Sequence, residues 1–429
     1  MMRRRGASIQ QHRNVLYLII FGIYLASVTL QTTTFNEMIP HRVGVLIELA
    51  TLAALLGLVV CLDTLPPGQI IGEVSLLVLV TVVTLTSGAH YLMPTIMLVI
   101  AAREVSFRQI IQVYLGVVGT ILLLALVASE VGLIKNITFA TADGLRQSFG
   151  VVYTTDFAAH IFYLCAAYLY LLARRFRLVA LLPVLFGLAM IYQFTKTMTD
   201  VIALIVLISL YLVYIYRRQL RWLRPMIRYS FLMLPLASGL IIGLSNIFNY
   251  QDRLLVALNN ILSTRLALGN NALLAYGVKL FGQAPIPING WGGDRFETFT
   301  NGVGDATYFF IDSSFLNMLI SYGLLLTLII IIGMTWFLYQ RTRQHDYLLP
   351  VIFAAIAISS MFDQHFLEVT YNVFILMLFA DLPNYRTAVG PAFDRPVVIR
   401  RGRRADESST GLSGAAVDPD HRPDVNSIR

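Results

Sequence analysis

Long apolar runs, separated by short polar segments, make up most of the chain up to about residue 385. Twelve of them are candidate membrane-spanning helices, because about 20 helical apolar residues cross the hydrocarbon core of a bilayer. They cover residues 15–30, 43–62, 70–87, 90–102, 110–128, 155–173, 178–194, 201–216, 229–248, 315–339, 347–361 and 368–382. The fourth run is shorter than the ~17 residues usually needed, but without it every later helix would change direction. The pattern predicts an all-α, polytopic integral membrane protein.

The longest polar segment, residues 249–313, lies between two of these runs. Every backbone donor and acceptor in lipid needs an internal partner, so a segment this polar belongs outside the hydrocarbon. Apolar residues recur at helical spacing over 254–262 and again over 266–281, which predicts two helices. Residues 282–304 are rich in Gly, Pro and Asn, which predicts a loop. Together these features predict a large, partly helical loop domain.

Basic residues set the predicted orientation. With the N-terminus inside and strict alternation, the short inside segments before residue 346 hold twice as many basic residues as the longer outside ones. This is the positive-inside pattern of a plasma-membrane protein with both termini in the cytoplasm. The predicted divisions are the N-terminus (1–14), nine helices (15–248) with an external loop at 129–154, the external loop domain (249–313), three helices (314–385) and a disordered cytoplasmic tail (386–429).

The composition agrees with this fold class, since 57% of the residues are hydrophobic and only 13% are charged. A soluble domain has about 25% charged residues. The formal net charge of +8 follows the membrane orientation, so nucleic acid is not an expected partner. Cys61 and Cys165 lie within apolar runs, and no disulfide framework is implied.

Three external cations, Arg146, Arg265 and Lys196, are candidate ligands for a phosphate group. An arginine near lipid headgroups suits this purpose because its planar fork donates two parallel hydrogen bonds. The alternative is that each side chain extends to the headgroups or pairs with a nearby aspartate. This alternative explains all three cations together less well than it explains each one alone. The loops 129–154 and 249–313 and the turn at Lys196 can converge over one cavity.

Acidic and imidazole groups at the ends of apolar runs are candidates for proton transfer. Asp312 stands where the long loop re-enters the membrane, and either caps the next helix or acts on substrate. His160 lies one turn into the sixth helix and needs a polar partner, which Asp156 four residues earlier can supply. Two other groups of ionisable residues have different interpretations. Asp363, His365 and Glu368 form a weak metal-site pattern, and Glu48 and Glu73 could mark an ion path.

Three patches, taken in order, resemble the Wzy-type exopolysaccharide and O-antigen repeat-unit polymerases of the O-antigen ligase-like superfamily. The first is LSTRLALGNNALLAYGVKLFGQAPI followed by YFFIDSSFLNMLISYGLLL. It is similar to the family's external loop, with an Arg (Arg265), a helix ending in Phe-Gly (Gly282) and an Asp before the next helix (Asp312). The second, GLRQSFGVVYTTDF, is similar to the family's Arg-x-Ser-Phe-Gly step at Arg146, although YTTDF stands where His-Pro-Asn is frequent. The third is QFTKTMTD, where Lys196 replaces a more usual Arg.

The resemblance implies a GT-C-like fold and metal-independent glycosyl transfer, without a cofactor, on the outer face of the bacterial plasma membrane. The donor is a glycan on undecaprenyl pyrophosphate, and the acceptor is a lipid-linked repeat unit. Arg146, Arg265 and Lys196 would bind pyrophosphate and glycan, while Asp312 and His160 would be catalytic. Further expected partners are a flippase and chain-length regulators. The alternatives are a ligase that moves a finished glycan to another acceptor, and a flippase for the same lipid-linked unit.

Overall fold

The computed structural model describes residues 2–62, 66–141, 144–173, 176–287 and 309–382, which are mostly helical. The α-helices are α1 (Met2–Gln31), α2 (His41–Leu62), α3 (Pro67–Ser87), α4 (Leu92–Ala101), α5 (Phe107–Glu130), α6 (Thr154–Leu172), α7 (Leu182–Met190), α8 (Met198–Ile215), α9 (Arg224–Arg228), α10 (Met233–Ile247), α11 (Arg253–Ile261), α12 (Arg265–Tyr276), α13 (Ser314–Asn317), α14 (Leu324–Arg343) and α15 (Leu348–Ser359). Short 3₁₀ or π segments extend or join them at Thr34–Glu37, Leu178–Leu181, Ile191–Thr195, Arg221–Leu223, Ser230–Leu232, Met318–Tyr322, His365–Leu367 and Val373–Leu378. An antiparallel hairpin joins β1 (Thr138–Thr141) to β2 (Gly144–Gln147).

Nine helices within the described ranges are long and apolar enough to cross a membrane. The predicted class, a helical polytopic membrane protein, is confirmed at that level. Local chemistry explains several of the helix ends. Helix α3 begins at Pro67, where the missing N–H costs nothing, and stops at Gly88, whose φ of 71° favours glycine. The predicted tail, residues 386–429, lies outside the described residues.

The bundle has two ends, which we call the Arg13 face and the loop face. At the Arg13 face, the Arg13 guanidinium donates to the carbonyls of Ala101, the last residue of α4, and of Arg103. At the loop face, the end of α1 meets the segment before α6, where Val152 N donates to Thr32 O at 3.0 Å. Helix α4 starts beside the loop-face end of α3 and finishes at the Arg13 face. The short fourth run is therefore a helix, as predicted, although it has only ten residues.

The last apolar run, residues 368–382, was predicted as a membrane-spanning helix, and this prediction is wrong. Its regular part is a six-residue 3₁₀ helix, Val373–Leu378. Asn372 explains the change, because its side chain accepts from Phe374 N and donates to Phe366 O, replacing α-helical backbone bonds. Residues 369–377 are all buried. Non-helical backbone at membrane depth is tolerated only when protein surrounds it in this way.

The run 315–339 was predicted as one helix, but it breaks at Gly323, whose φ is 91°. The chain forms α13 and a π segment before the break, and α14 after it. Residues 279–283 pack against the break and satisfy its backbone. Leu324 N donates to Lys279 O, Leu325 N donates to Leu280 O, and Gln283 N donates to Ser321 O, at 2.9, 3.1 and 3.2 Å.

The two helices predicted in the long loop are present as α11 and α12. Helix α11 starts at Asp252, whose carboxylate accepts from the backbone N–H of Leu254 and Leu255. Helix α12 ends earlier than its apolar pattern, at Gly277, whose φ is 64°. Residues 282–287 form no helix or strand, as the loop prediction requires, and residues 288–308 lie outside the described part.

Candidate functional site

The two residues with the strongest sequence signal, Arg265 and Asp312, meet at the loop face. Arg265 is the first residue of α12, and its Nε donates to Phe362 O at 2.8 Å. Its Nη2 lies 3.6 Å from Asp312 Oδ2, which is ion-pair distance but too long for a hydrogen bond. The side chains are only 11% and 20% exposed, so the pair is anchored and largely removed from water.

Asp312 does not cap the helix that follows it, so the capping alternative is wrong. Helix α13 begins at Ser314, and the residue before it, Ser313, makes no side-chain capping bond. Ser314 N donates to the carbonyls of Ser360 and Asp363, both at 3.0 Å, which fastens the segment after Asp312 to the loop after α15. This leaves the Asp312 carboxylate facing Arg265.

A buried imidazole, His365, joins three carboxylates from two parts of the chain. Its Nε2 lies 3.4 Å from Asp363 Oδ1 and 3.5 Å from Asp156 Oδ1. Its Nδ1 lies 3.2 Å from Glu368 Oε2. Asp156 stands in the first turn of α6, and the other two flank His365 in the loop after α15.

Arg265, Asp312 and His365 share one narrow cleft, whose charged lining residues we call the charged cluster. The volume of the cleft is about 10 Å³, room for about one water molecule. The charged side chains that line it are Asp156, Asp200, Arg265, Asp312, Asp363 and His365. Four carboxyl groups thus face one arginine and one histidine, and they come from α6, α8, α12 and the two loops around α13 and α15.

Burial shifts the proton affinities of the loop residues in the charged cluster. It raises the pKa of Asp312 in spite of Arg265, and it raises the pKa of Asp363 to about 6 in spite of His365. Burial alone would lower the pKa of His365, but Asp363 and Glu368 outweigh it and hold that pKa well above its usual value. The cluster therefore combines an imidazole whose pKa is raised by its carboxylate neighbours with two carboxyl groups whose pKa values are raised by burial.

His160 does not line the charged cluster. It is fully buried, with Nε2 3.0 Å from Thr32 Oγ1. Its ring stacks on Tyr371, which stacks on His365 from the other side, with centroid distances of 4.0 and 3.6 Å. The predicted pairing with Asp156 is wrong, because that carboxylate pairs with His365. The described contacts of His160 are thus with Thr32 and Tyr371, and Tyr371 in turn contacts His365.

Arg146 and Lys196 lie together on the neighbouring hairpin and turn. Arg146, on β2, donates from Nε to Thr195 O at 2.7 Å. Burial lowers the Arg146 pKa, and the guanidinium is close enough to Asp200 and Arg265 to interact with both. Lys196 has a left-handed φ of 52° and directs Nζ at Gly144, where an added Cβ would lie 2.6 Å from it. The structure thus brings Arg146 towards the charged cluster and Lys196 to the hairpin turn beside it.

The remaining ionisable candidates have other environments. Glu73 pairs with Arg103 at the Arg13 face, which explains a buried carboxylate there without an ion path. Glu48 is half-buried on α2. Across the described residues, no three His, Cys, Asp or Glu side chains have the arrangement of a metal site.

No protein-family model, curated protein or solved structure matches this chain. Sequence reasoning did not single out Asp200, and it treated Asp363 and His365 only as weak metal ligands. A usable signal was present, since Asp156, Asp200 and Asp312 all stand where an apolar run meets the loop face.

Proposed function

We propose that this protein is a polysaccharide polymerase that joins undecaprenyl-pyrophosphate-linked oligosaccharide repeat units on the outer face of the plasma membrane. The observation that carries the proposal is the convergence of Arg265, Asp312 and the His365 carboxylates in one buried cluster at the end of an apolar bundle. Such a place suits a substrate with a lipid tail in the membrane and a charged, reacting headgroup at its surface. The sequence resemblance points to the same chemistry.

Arg265 and Arg146 are the proposed ligands of the pyrophosphate. Each guanidinium is fixed through its Nε to a backbone carbonyl, at Phe362 and Thr195. Arg265 Nη2 also approaches Asp312, so Arg265 Nη1 and the Nη nitrogens of Arg146 are the proposed donors to the pyrophosphate. The two cations repel each other and are partly buried, and an anion between them would relieve both costs. Fixed donors of this kind stabilise the charge that develops on a leaving group.

Asp312 is the proposed base. In the transfer step the acceptor hydroxyl oxygen forms a bond to the anomeric carbon, and the bond from that carbon to the pyrophosphate oxygen breaks. The hydroxyl proton passes to the Asp312 carboxylate, and the bond electrons leave with the lipid pyrophosphate. Burial raises the pKa of Asp312, which makes its carboxylate a stronger base than an exposed aspartate. No step requires a metal or a cofactor.

The proposed topology has twelve crossings, with both termini in the cytoplasm and the loop face outside. Three segments support crossings beyond the nine long helices. One is the short apolar helix α15, whose end is joined to the loop face where Ser314 N donates to Ser360 O. The other two are α4 and the buried run after Glu368. Helix α4 connects the loop face to the Arg13 face, and the buried run after Glu368 ends where Asp381 N donates to Val105 O at 2.8 Å, beside the start of α5. The loop domain would then lie outside, over the charged cluster.

The decisive experiment compares a strain that lacks this protein with its complemented parent. A polymerase defect leaves single repeat units on the lipid carrier at the outer surface, where an added glycosidase cleaves them. Loss of a ligase would instead leave long glycans on the carrier, and loss of a flippase would leave single units inside, protected from the enzyme. Either of these last patterns would contradict the polymerase proposal.

The orientation is tested by labelling single cysteines from outside the cell, in a background without Cys61 and Cys165. Tyr250 and Trp222 are suitable positions because they are 70% and 76% exposed, on either side of α10. Tyr250→Cys is expected to react with a membrane-impermeant maleimide, whereas Trp222→Cys should react only after the membrane is permeabilised. The opposite result would place the charged cluster in the cytoplasm.

A further inference from the structure

A second cavity opens beside the charged cluster at the loop face. Its volume is about 410 Å³, within the range of ~300–1,000 Å³ that is usual for small-molecule sites. It lies between the loop-face end of α3, the segment before α14 and the loop after residue 283. Phe310 and Gln364 line both this cavity and the charged cluster, so the two spaces are neighbours. We call it the neutral cavity, because its polar lining groups are hydroxyls, amides and an imidazole.

The lining of the neutral cavity combines aromatic surfaces with neutral donors and acceptors. Tyr91 and Tyr322 meet edge to face, and their hydroxyls are 2.5 Å apart. Asn317 Nδ2 donates to the Tyr322 hydroxyl at 3.3 Å and holds that pair in place. The Gln364 side-chain amide makes no hydrogen bond within the described part of the chain. Apolar C–H faces and hydroxyl edges of a sugar ring match such a lining, and a phosphate, which needs positive charge, does not.

The same helices also provide a place for a lipid chain. Below the tyrosine pair, α3, α4 and α14 enclose an apolar crevice of about 460 Å³, lined in part by Val80, Leu92 and Leu326. Leu92 follows Tyr91 directly, and Leu326 lies four residues after Tyr322. The apolar crevice is therefore lined by residues that closely follow the tyrosine pair in the sequence, a placement that suits a lipid-linked saccharide.

We propose that the neutral cavity binds the saccharide of the lipid-linked acceptor and presents its hydroxyl to Asp312. This assignment rests on the proposed polymerase function and adds a separate place for the acceptor. The cations Arg265 and Arg146 then hold the donor pyrophosphate, while the neutral cavity selects the sugar. Gln364 links the two spaces and orients the acceptor at their junction.

The test measures how far a bound probe protects a cysteine inside the neutral cavity from labelling. It therefore reports binding and does not depend on the rate of polymer formation. The variant Ala89→Cys is purified in a background without the native cysteines and labelled with a thiosulfonate reagent. Two probes are added in separate experiments. Lipid-linked repeat units extracted from the host, at ten times their half-saturating concentration, should slow labelling about tenfold. Undecaprenyl pyrophosphate alone should leave the rate unchanged. Tyr250→Cys, on the same face but outside the cavity, is the matched control and should react equally throughout.

Three results would overturn the assignment in different ways. Equal protection by undecaprenyl pyrophosphate would show that the cavity holds lipid phosphate, not sugar. Absence of protection, with a polymerase phenotype in the deletion strain, would place the acceptor elsewhere and leave the proposed function standing. If there were neither protection nor a polymerase phenotype, the proposed function and the acceptor assignment would both be wrong. If Ala89→Cys does not fold, His90→Cys reports on the same cavity from an exposed position.

Discussion

Replacing Arg265 with lysine is expected to reduce polymer formation about 10²–10³-fold, which corresponds to ~3–4 kcal/mol of transition-state stabilisation. Lysine keeps the charge but loses the planar fork, and it cannot reproduce both the bond to Phe362 O and the approach to Asp312. Arg265→Ala should be at least as damaging, because it leaves Asp312 without its cation. The measurement is glycan chain length and rate in membranes supplied with extracted lipid-linked repeat units.

Arg253 provides the control for this variant. It is an exposed arginine at the start of α11, one helix away from Arg265 on the same face. Arg253→Lys should leave chain length and protein abundance unchanged. Long chains made at normal rate by Arg265→Lys and Arg265→Ala would rule out a pyrophosphate-binding role. Loss of the Arg265 variants from the membrane, without altered turnover of the remaining protein, would make the role of this arginine structural.

The apolar runs predicted most of the fold because lipid imposes a simple rule on the chain. A run of apolar residues that is long enough must be helical unless protein satisfies its backbone. Nine described helices follow that rule. The prediction was wrong at two places, where other contacts satisfy the backbone hydrogen bonds. At the Gly323 break, residues 279–283 accept or donate these bonds, and in the buried run the Asn372 side chain does so.

The charged cluster was predictable only in part, for a different reason. Asp312 carried a local signal because it stands at the edge of the long polar segment, and Arg265 carried one because it is a cation between the two helical patterns of that segment. The position of His365 depends on contacts between residues more than 200 positions apart, as in its pairing with Asp156. His160 had a stronger local signal than His365, since it lies inside an apolar run. Its neighbours Thr32 and Tyr371, however, come from distant parts of the chain. Helical spacing on α6 carries no information about those contacts.

Replacing Gly323 with alanine is expected to destabilise the protein by about 3–5 kcal/mol. Its φ of 91° is strained for any residue with a Cβ, a cost of about 1–3 kcal/mol. An added Cβ would also lie 2.2 Å from Gly282 N and 2.7 Å from Leu280 O, and Leu280 O is held in place by its bond from Leu325 N. To relieve the overlap, residues 279–283 must move away from the break, at about 1 kcal/mol for each backbone hydrogen bond lost.

Thermal unfolding in detergent checks this expectation, with Gly333→Ala as the control. Gly333 lies on α14, ten residues after the break, and an added Cβ there meets nothing within 4 Å. Gly323→Ala should lower the unfolding temperature by roughly 10 °C, whereas Gly333→Ala should not lower it, because alanine favours a helix. Equal unfolding temperatures for the two variants would show that the contact between residues 279–283 and the break does not hold the fold. The chain continues from Gln283, which donates to Ile320 O, to Pro285, which lines the neutral cavity. Loss of the contact would therefore also disturb the place proposed for the acceptor sugar.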